Sequence, residues 1–246
     1  MSAASALSCE GVRVRYGGIQ VLHDVGLAVA YGTLSALIGP NGAGKTTLLD
    51  WCAGAATESS GSGGRLRIEG AEASAWHATR RARAGLRYVP FDRNVFPGLS
   101  VRDNLRATGA AHETRGGGAR GGVTRRWLTR GEATSDSMTT ANVLERFPEL
   151  SRLVDRPAGV LSGGERQLLA VACALHGPAR ILLIDEPTHA LAPDLADRVI
   201  EALAETARQH GRAILLAEPS MSQALRAHTD FSWPLDRGRR LPADGA

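Results

Sequence analysis

The sequence predicts an α/β fold in which a mixed, largely parallel sheet is flanked by helices. Two observations carry this. First, the stretch Gly39, Pro40, Asn41, Gly42, Ala43, Gly44, Lys45, Thr46, Thr47 reads G-x-x-x-x-G-K-[ST]. It lies between an apolar run suited to a buried strand (34–38) and a helical run (46–53) that Gly54 stops. Second, Ile181, Leu182, Leu183 and Ile184 form an apolar strand ending in two carboxylates, Asp185 and Glu186, with Pro187 closing it.

Before the glycine-rich loop the chain is β-rich. Residues 7–14 alternate apolar and polar, Tyr16 precedes a Gly-Gly turn, and 19–22 and 25–29 read as strand pieces around His23 and Asp24. Beyond it, 58–64 is a Ser/Gly-rich turn, 65–68 a strand, and 74–84 a basic helix. The charges of Arg80, Arg81 and Arg83 are read as a solvated face. Residues 85–89 form a strand that Pro90 ends, 91–98 a loop, and Ser100 caps a short helix through Leu105. From 107 to 137 the text is rich in Gly, Thr and Arg and is read as a flexible insertion. Residues 143–150 are helical with Pro148 inside a Phe-Pro-Glu-Leu turn, 161–175 open and form an apolar helix, and 197–209 an amphipathic one. Residues 213–217 make another apolar strand, 220–227 a helix, and 231–235 and 240–241 terminal strand fragments.

The motifs specify chemistry. Glycines let backbone N–H groups close around a phosphate, and the helix N-terminus adds the positive end of its dipole. Lys45 reaches the terminal phosphates and the Thr46 hydroxyl holds Mg2+. Of the 29 Lys and Arg residues, Lys45 is the single lysine. A compact ammonium on a thin stem suits a phosphate pocket as a planar guanidinium does not. Asp185 is expected to hold Mg2+ directly or through water, and Glu186 to orient or deprotonate an attacking water. The Asp185–Glu186 strand is expected to lie beside the phosphate-loop strand, so that both reach one crevice. Ser162, Gly163 and Gly164 place a hydroxyl and bare backbone N–H groups at a helix N-terminus, a second anion site. Two such sites in one chain suit a head-to-tail pair of chains sharing each nucleotide. Tyr16 either stacks on a base or is a solvent-facing strand end; the residues alone leave both open.

Composition narrows the class. The net charge of +4 is too weak to argue for nucleic acid. Cys9, Cys52 and Cys173 have no metal-site spacing and suit a reducing compartment. No apolar run approaches the ~20 residues of a membrane helix, and the first residues carry no signal-peptide pattern.

Taken together, the motifs resemble those of the ATP-binding-cassette (ABC) ATPase subunits of transporters. Residues 39–46 match the Walker A motif, 161–167 the signature, 181–186 Walker B, and Tyr16 the aromatic A-loop. The text around 89–105, the Glu145-to-Leu150 stretch, Leu191 to Pro193, and Ala217 with Glu218 resemble the second ATPase subunit of branched-chain amino-acid importers and their urea-type relatives.

The resemblance implies a single domain over 1–246. It would comprise a P-loop NTPase core (1–90 and 176–246) with an N-terminal antiparallel β subdomain, and a helical subdomain (91–175) carrying the 107–137 insertion. It implies ATP and Mg2+, a sandwich dimer with itself or a second ATPase subunit, transmembrane permease partners, and a solute-binding protein acting indirectly. It implies no nucleic-acid partner and a cytoplasmic place on the inner face of the cell membrane. Solute and direction of transport stay open, and so does a regulatory, nucleotide-binding role without productive hydrolysis.

Three features depart from the family pattern: the insertion over 107–137, which lengthens the helical subdomain, and two single residues. A Gln that touches Mg2+ and the attacking water is replaced by Phe91, with Asp92 next to it. A His or Gln that contacts the γ-phosphate is replaced by Pro219, which has no donor. Both losses fall on the site that uses Lys45, so slow hydrolysis is expected there and an intact site where a partner borrows Ser162–Gly164. His189 is expected to face the dimer contact rather than replace the lost groups.

Overall fold

The computed structural model describes residues 5–56, 62–92, 94–110 and 139–242. An antiparallel four-stranded sheet has the order β2-β1-β4-β5, from β1 (Ser5–Tyr16), β2 (Ile19–Ala30), β4 (Gly63–Ile68) and β5 (Ala71–Glu72). A six-stranded sheet runs β10-β9-β3-β8-β7-β6, from β3 (Leu34–Ile38), β6 (Leu86–Val89), β7 (Ile181–Asp185), β8 (Ala213–Glu218), β9 (Phe231–Asp236) and β10 (Arg239–Arg240). All its pairings are parallel except β9–β10.

The apolar runs explain the layering. In β7, Ile181 and Leu183 enter one core with the antiparallel sheet and helix α1 (Lys45–Ala53); Leu182 and Ile184 enter a second core on the opposite face. β8 does the same with Leu215 and Leu216. A strand buried on both faces has no reason to alternate, so it reads as an unbroken apolar run. The second core holds the helices α3 (Val101–Ala110), α4 (Thr140–Arg146), α5 (Pro148–Ser151), α6 (Gly163–Leu175) and α7 (Pro193–Gln209). From Gln167 to Leu175 every residue of α6 is buried. α2 (Ala78–Arg83) and α8 (Gln223–His228) complete the set.

The structure corrects several expectations. The Asp185 strand is not beside the phosphate-loop strand: β8 stands between them, paired to β3 on one side and β7 on the other. The two strand ends still meet at one edge, because all three strands are parallel. The helix expected over 74–84 is only α2, and Arg81 is not on a solvated face. It is buried and donates to the carbonyls of Trp51, Cys52, Ser74 and Trp76. These include carbonyls in the last turn of α1, which have no partner within the helix. The strand pieces around His23 and Asp24 are one strand, β2, with Asp24 at φ 61° inside it. The helix expected to end at Leu105 continues to Ala110, so 107–110 are helical; the rest of the expected insertion, 111–137, lies outside the described residues. The helical run expected over 143–150 is two helices, α4 and α5, with Pro148 at the first position of α5, where its missing N–H costs nothing.

The far end of α6 is held by two arginines. Arg87 donates to the carbonyls of Cys173, His176 and Thr108, and Arg212 to those of Leu175 and Gly177. Sequence patterning hides such residues, since only the fold shows that a charged side chain is spent on helix-end carbonyls.

Candidate functional site

The loop between β3 and α1 is fixed by three neighbouring strand ends. Gly39 N donates to Glu218 O at the end of β8 (3.3 Å), and Gly238 N, in the β9–β10 turn, donates to Ala43 O (2.9 Å). A Cβ on Gly39 would lie 2.0 Å from Leu235 O, so only glycine fits there. Within the loop, Ala43 N donates to Pro40 O (3.1 Å). Asn41 and Gly42 form its exposed outer edge. Gly44, at φ 101°, is the N-cap of α1, and Lys45 begins the helix.

Lys45 is only 5% exposed, and its Nζ donates to Gly39 O (2.7 Å) and Pro40 O (3.2 Å). The ammonium therefore sits inside the ring of its own loop. Thr46 Oγ1 donates to Asp185 Oδ2 at 2.7 Å. Asp185 is fully buried, and its other oxygen, Oδ1, has no hydrogen-bond partner. Burial pushes the Asp185 carboxyl above the usual carboxylate range; Glu186 adds to the rise, while Thr46 and Lys45 oppose it. A buried carboxylate oxygen without a donor is a costly arrangement. Beside a hydroxyl oxygen it makes the hard donor set that Mg2+ prefers, so these residues fit the ion. Thr46 and Asp185 would hold it, and it would supply positive charge against the terminal phosphate oxygens.

Glu186 follows directly and is held in an unusual way. Its φ is 47°, left-handed for a non-glycine residue, a strain of about 1–3 kcal/mol that the surroundings must impose. Its N–H donates to Ala217 O (2.9 Å), and its carbonyl accepts from Gln167 Nε2 (2.9 Å) and His189 N (3.1 Å). Two residues on, Thr188 donates through N (3.1 Å) and Oγ1 (2.7 Å) to Glu218 Oε1. Burial pushes the Glu218 carboxyl up to about 7, Glu186 adds to this, and the bonds from Thr188 oppose it.

Tyr16 is half-buried at the end of β1, with its hydroxyl beside the Thr47 side chain in the first turn of α1. Its phenol is raised, chiefly by burial and then by Asp50. The ring thus stands next to the phosphate loop.

Ser162 caps α6 through a capping box: Oγ accepts from Glu165 N (3.2 Å), and Glu165 Oε2 accepts from Ser162 N (2.7 Å). The hydroxyl keeps its proton to donate. The structure does not bring Ser162, Gly163 and Gly164 to the phosphate loop of the same chain. The neighbours of the two glycines are Ala190 and Leu191, and a Cβ on Gly164 would come 2.6 Å from Ala190 O.

Phe91, in the loop leaving β6, is 37% exposed, and its ring meets that of His189 edge-on. His189 is therefore engaged within its own chain, by Phe91 and Glu186. Sequence reasoning gave no role to Gln167, Asn94, Thr188 or Glu218. The signal for Glu218 was its place at the carboxyl end of a parallel strand, where such sheets build their crevice.

Comparison with known proteins matches this arrangement. The ABC transporter family model matches residues 22–189. The high-affinity branched-chain amino acid transport ATP-binding protein BraG of Pseudomonas aeruginosa is 36% identical over 97% of this chain and 92% of its own length. The phosphonates import ATP-binding protein PhnC of Stutzerimonas stutzeri is 35% identical over 90% of this chain and 78% of its own. A solved nucleotide-free ATP-binding cassette from an ABC transporter shares the fold, with a TM-score of 0.73 over 97% of this chain and 90% of that one at 22% identity. With the family model spanning well over half of the residues and an ATP-binding subunit matched almost end to end, this chain belongs to the ABC transporter family.

Proposed function

We propose that this chain is the ATP-hydrolysing subunit that powers import of branched-chain or related amino acids through a partner permease. The convergence of Lys45, Thr46, Asp185 and Glu186 at one edge of the parallel sheet carries the reading. The amino-acid branch rests on the near end-to-end match to BraG, which exceeds the share of PhnC that the chain covers.

In the proposed reaction the loop amides and Lys45 bind the phosphates of ATP, Tyr16 flanks the nucleotide, and Thr46 with Asp185 holds Mg2+. Glu186 orients the attacking water and takes its proton. The nucleotide site is completed by Ser162, Gly163 and Gly164 of a second copy of this chain, or by the matching stretch of a different ATPase subunit, bound head to tail. Residues 91–175 then act as the helical unit and 1–90 with 176–246 as the nucleotide-binding unit. No helix among the described residues is long and apolar enough to cross a membrane. Attachment to the inner face of the membrane would come through the permease. Exposed Phe96, Leu99 and Val160 lie on neighbouring segments, since Ala158 N donates to Leu99 O and Gly159 N to Pro97 O. An apolar surface of this kind suits a cytoplasmic segment of that permease.

A second reading, a nucleotide-binding regulatory subunit, is favoured by Phe91 and Pro219 and opposed by Glu186. Turnover of Mg-ATP by the purified chain, with E186Q as the blank, separates the two. For the solute, vesicles holding this chain with its permease and partner ATPase should take up leucine in an ATP-dependent way. Uptake of a phosphonate instead of leucine would overturn the assignment.

A further inference from the structure

We propose that His189 is a positioning residue for the Glu186 carboxylate, and that Phe91 is the clamp that holds His189 there. The inference rests on ATP hydrolysis at this site and is independent of the solute transported.

The geometry is a short chain of contacts. The Phe91 and His189 rings are 4.7 Å apart between centroids and meet at 71°, edge to face. His189 Nδ1 is 3.7 Å from Glu186 Oε2. The turn joining the two is rigid: His189 N donates to Glu186 O, and both Glu186 and Ala190 have positive φ, at 47° and 59°. The ring therefore has few places to go.

A second path links the same two ends. Asn94 Nδ2 donates to Phe91 O (3.4 Å) and to Gln167 Oε1 (3.0 Å), and Gln167 Nε2 donates to Glu186 O. The loop leaving β6 is thus tied to Glu186 at its backbone through Asn94 and Gln167. Phe91 and His189 tie it to the carboxylate.

A glutamate side chain has several rotamers, and one that must orient a water loses rate when its carboxylate wanders. A partner within ion-pairing reach restricts it. The His189 side chain is 56% exposed, so its turn restrains its backbone but leaves one side of the ring uncovered. The edge-to-face contact with Phe91 supplies a neighbour at little entropic cost, because both residues are already restrained by their turns. Phe91 has no polar group to offer a metal or a water, so packing is the work its place in the fold allows. The contacts described for Phe91 and His189 are with each other and with Glu186, so their effect is expected on turnover rather than on nucleotide affinity.

The test is steady-state hydrolysis of Mg-ATP by the purified full chain, with E186Q as the blank and with nucleotide affinity and melting temperature measured in parallel. H189A should lower kcat about tenfold with KM for ATP nearly unchanged, as for a group that acts on the transition state alone. F91A should lower it about threefold, and the double variant should be no slower than H189A, because the two act through one contact. H189Q, which keeps a polar group, should recover part of the rate. The proposal is overturned if H189A leaves kcat within about twofold, or if the F91A and H189A effects multiply as independent changes. It is also overturned if the unsubstituted chain is no faster than E186Q, since there would then be no reaction for His189 to serve. Failure of leucine uptake in vesicles would leave these outcomes untouched.

Discussion

Thr46 and Asp185 meet at 2.7 Å although their strands are not neighbours. The hydroxyl comes from the first turn of α1, just past β3, and the carboxylate from the end of β7, with β8 between. What joins them is the shared direction of the three strands, which delivers all their carboxyl ends to one edge. Asp185 Oδ1 lacks a hydrogen-bond partner in this buried place. D185N should therefore abolish the Mg2+ dependence of ATP binding. In calorimetric titrations with Mg2+ and with EDTA, the unsubstituted chain should bind more tightly with the ion, and D185N equally in both.

Lys45 is buried in a ring of loop carbonyls, and its thin stem is what fits. K45R keeps the charge but must place a planar fork in the space of an ammonium. Both K45R and K45A should weaken ATP binding, by about 10–100-fold if one charged hydrogen bond worth about 1.5–3 kcal/mol is lost. Equal binding by K45R and the unsubstituted chain would show that charge alone matters here.

Much of this site was legible in the sequence because its parts are local. A glycine-rich loop between a strand and a helix, and an apolar run ending in two acids, state their own geometry. The relation between them was not legible. Nothing in residues 34–38 or 181–186 tells that 213–218 will lie between, because strand order is decided by how helices cross the sheet. The long-range polar contacts were hidden for a similar reason. Arg81 and Arg87 look like surface charges until the carbonyls they satisfy are seen, and Gln167 looks like one more signature residue until its bond to Glu186 O is seen.

Glu218 carries a pH signature. Its carboxyl is raised from the ordinary 4.5 to about 7, first by burial and then by Glu186. The folded protein therefore binds a proton more readily than the unfolded chain. The contribution is fully present below about 4.5 and is lost as pH rises through about 7. E218Q keeps an acceptor for Thr188 and removes the titration. Relative to E218Q, the unsubstituted chain should lose stability between those two pH values, read as a falling difference in melting temperature. A difference that does not change with pH would contradict the assignment.

The central claim is that the pocket built on Lys45 retains a working carboxylate but lacks two helpers, at Phe91 and Pro219. Losing one preorganised contact to a transition state costs about 10²–10³ in rate. In a transporter with a different second ATPase subunit, most turnover should then come from the other nucleotide, the one that borrows Ser162, Gly163 and Gly164 of this chain. The direct measurement is transport in vesicles containing both subunits, with the catalytic glutamate changed to glutamine in one subunit at a time. The account predicts that E186Q in this chain leaves much of the transport, while the equivalent change in the partner abolishes it. Transport abolished by E186Q and retained with the partner's change would contradict it.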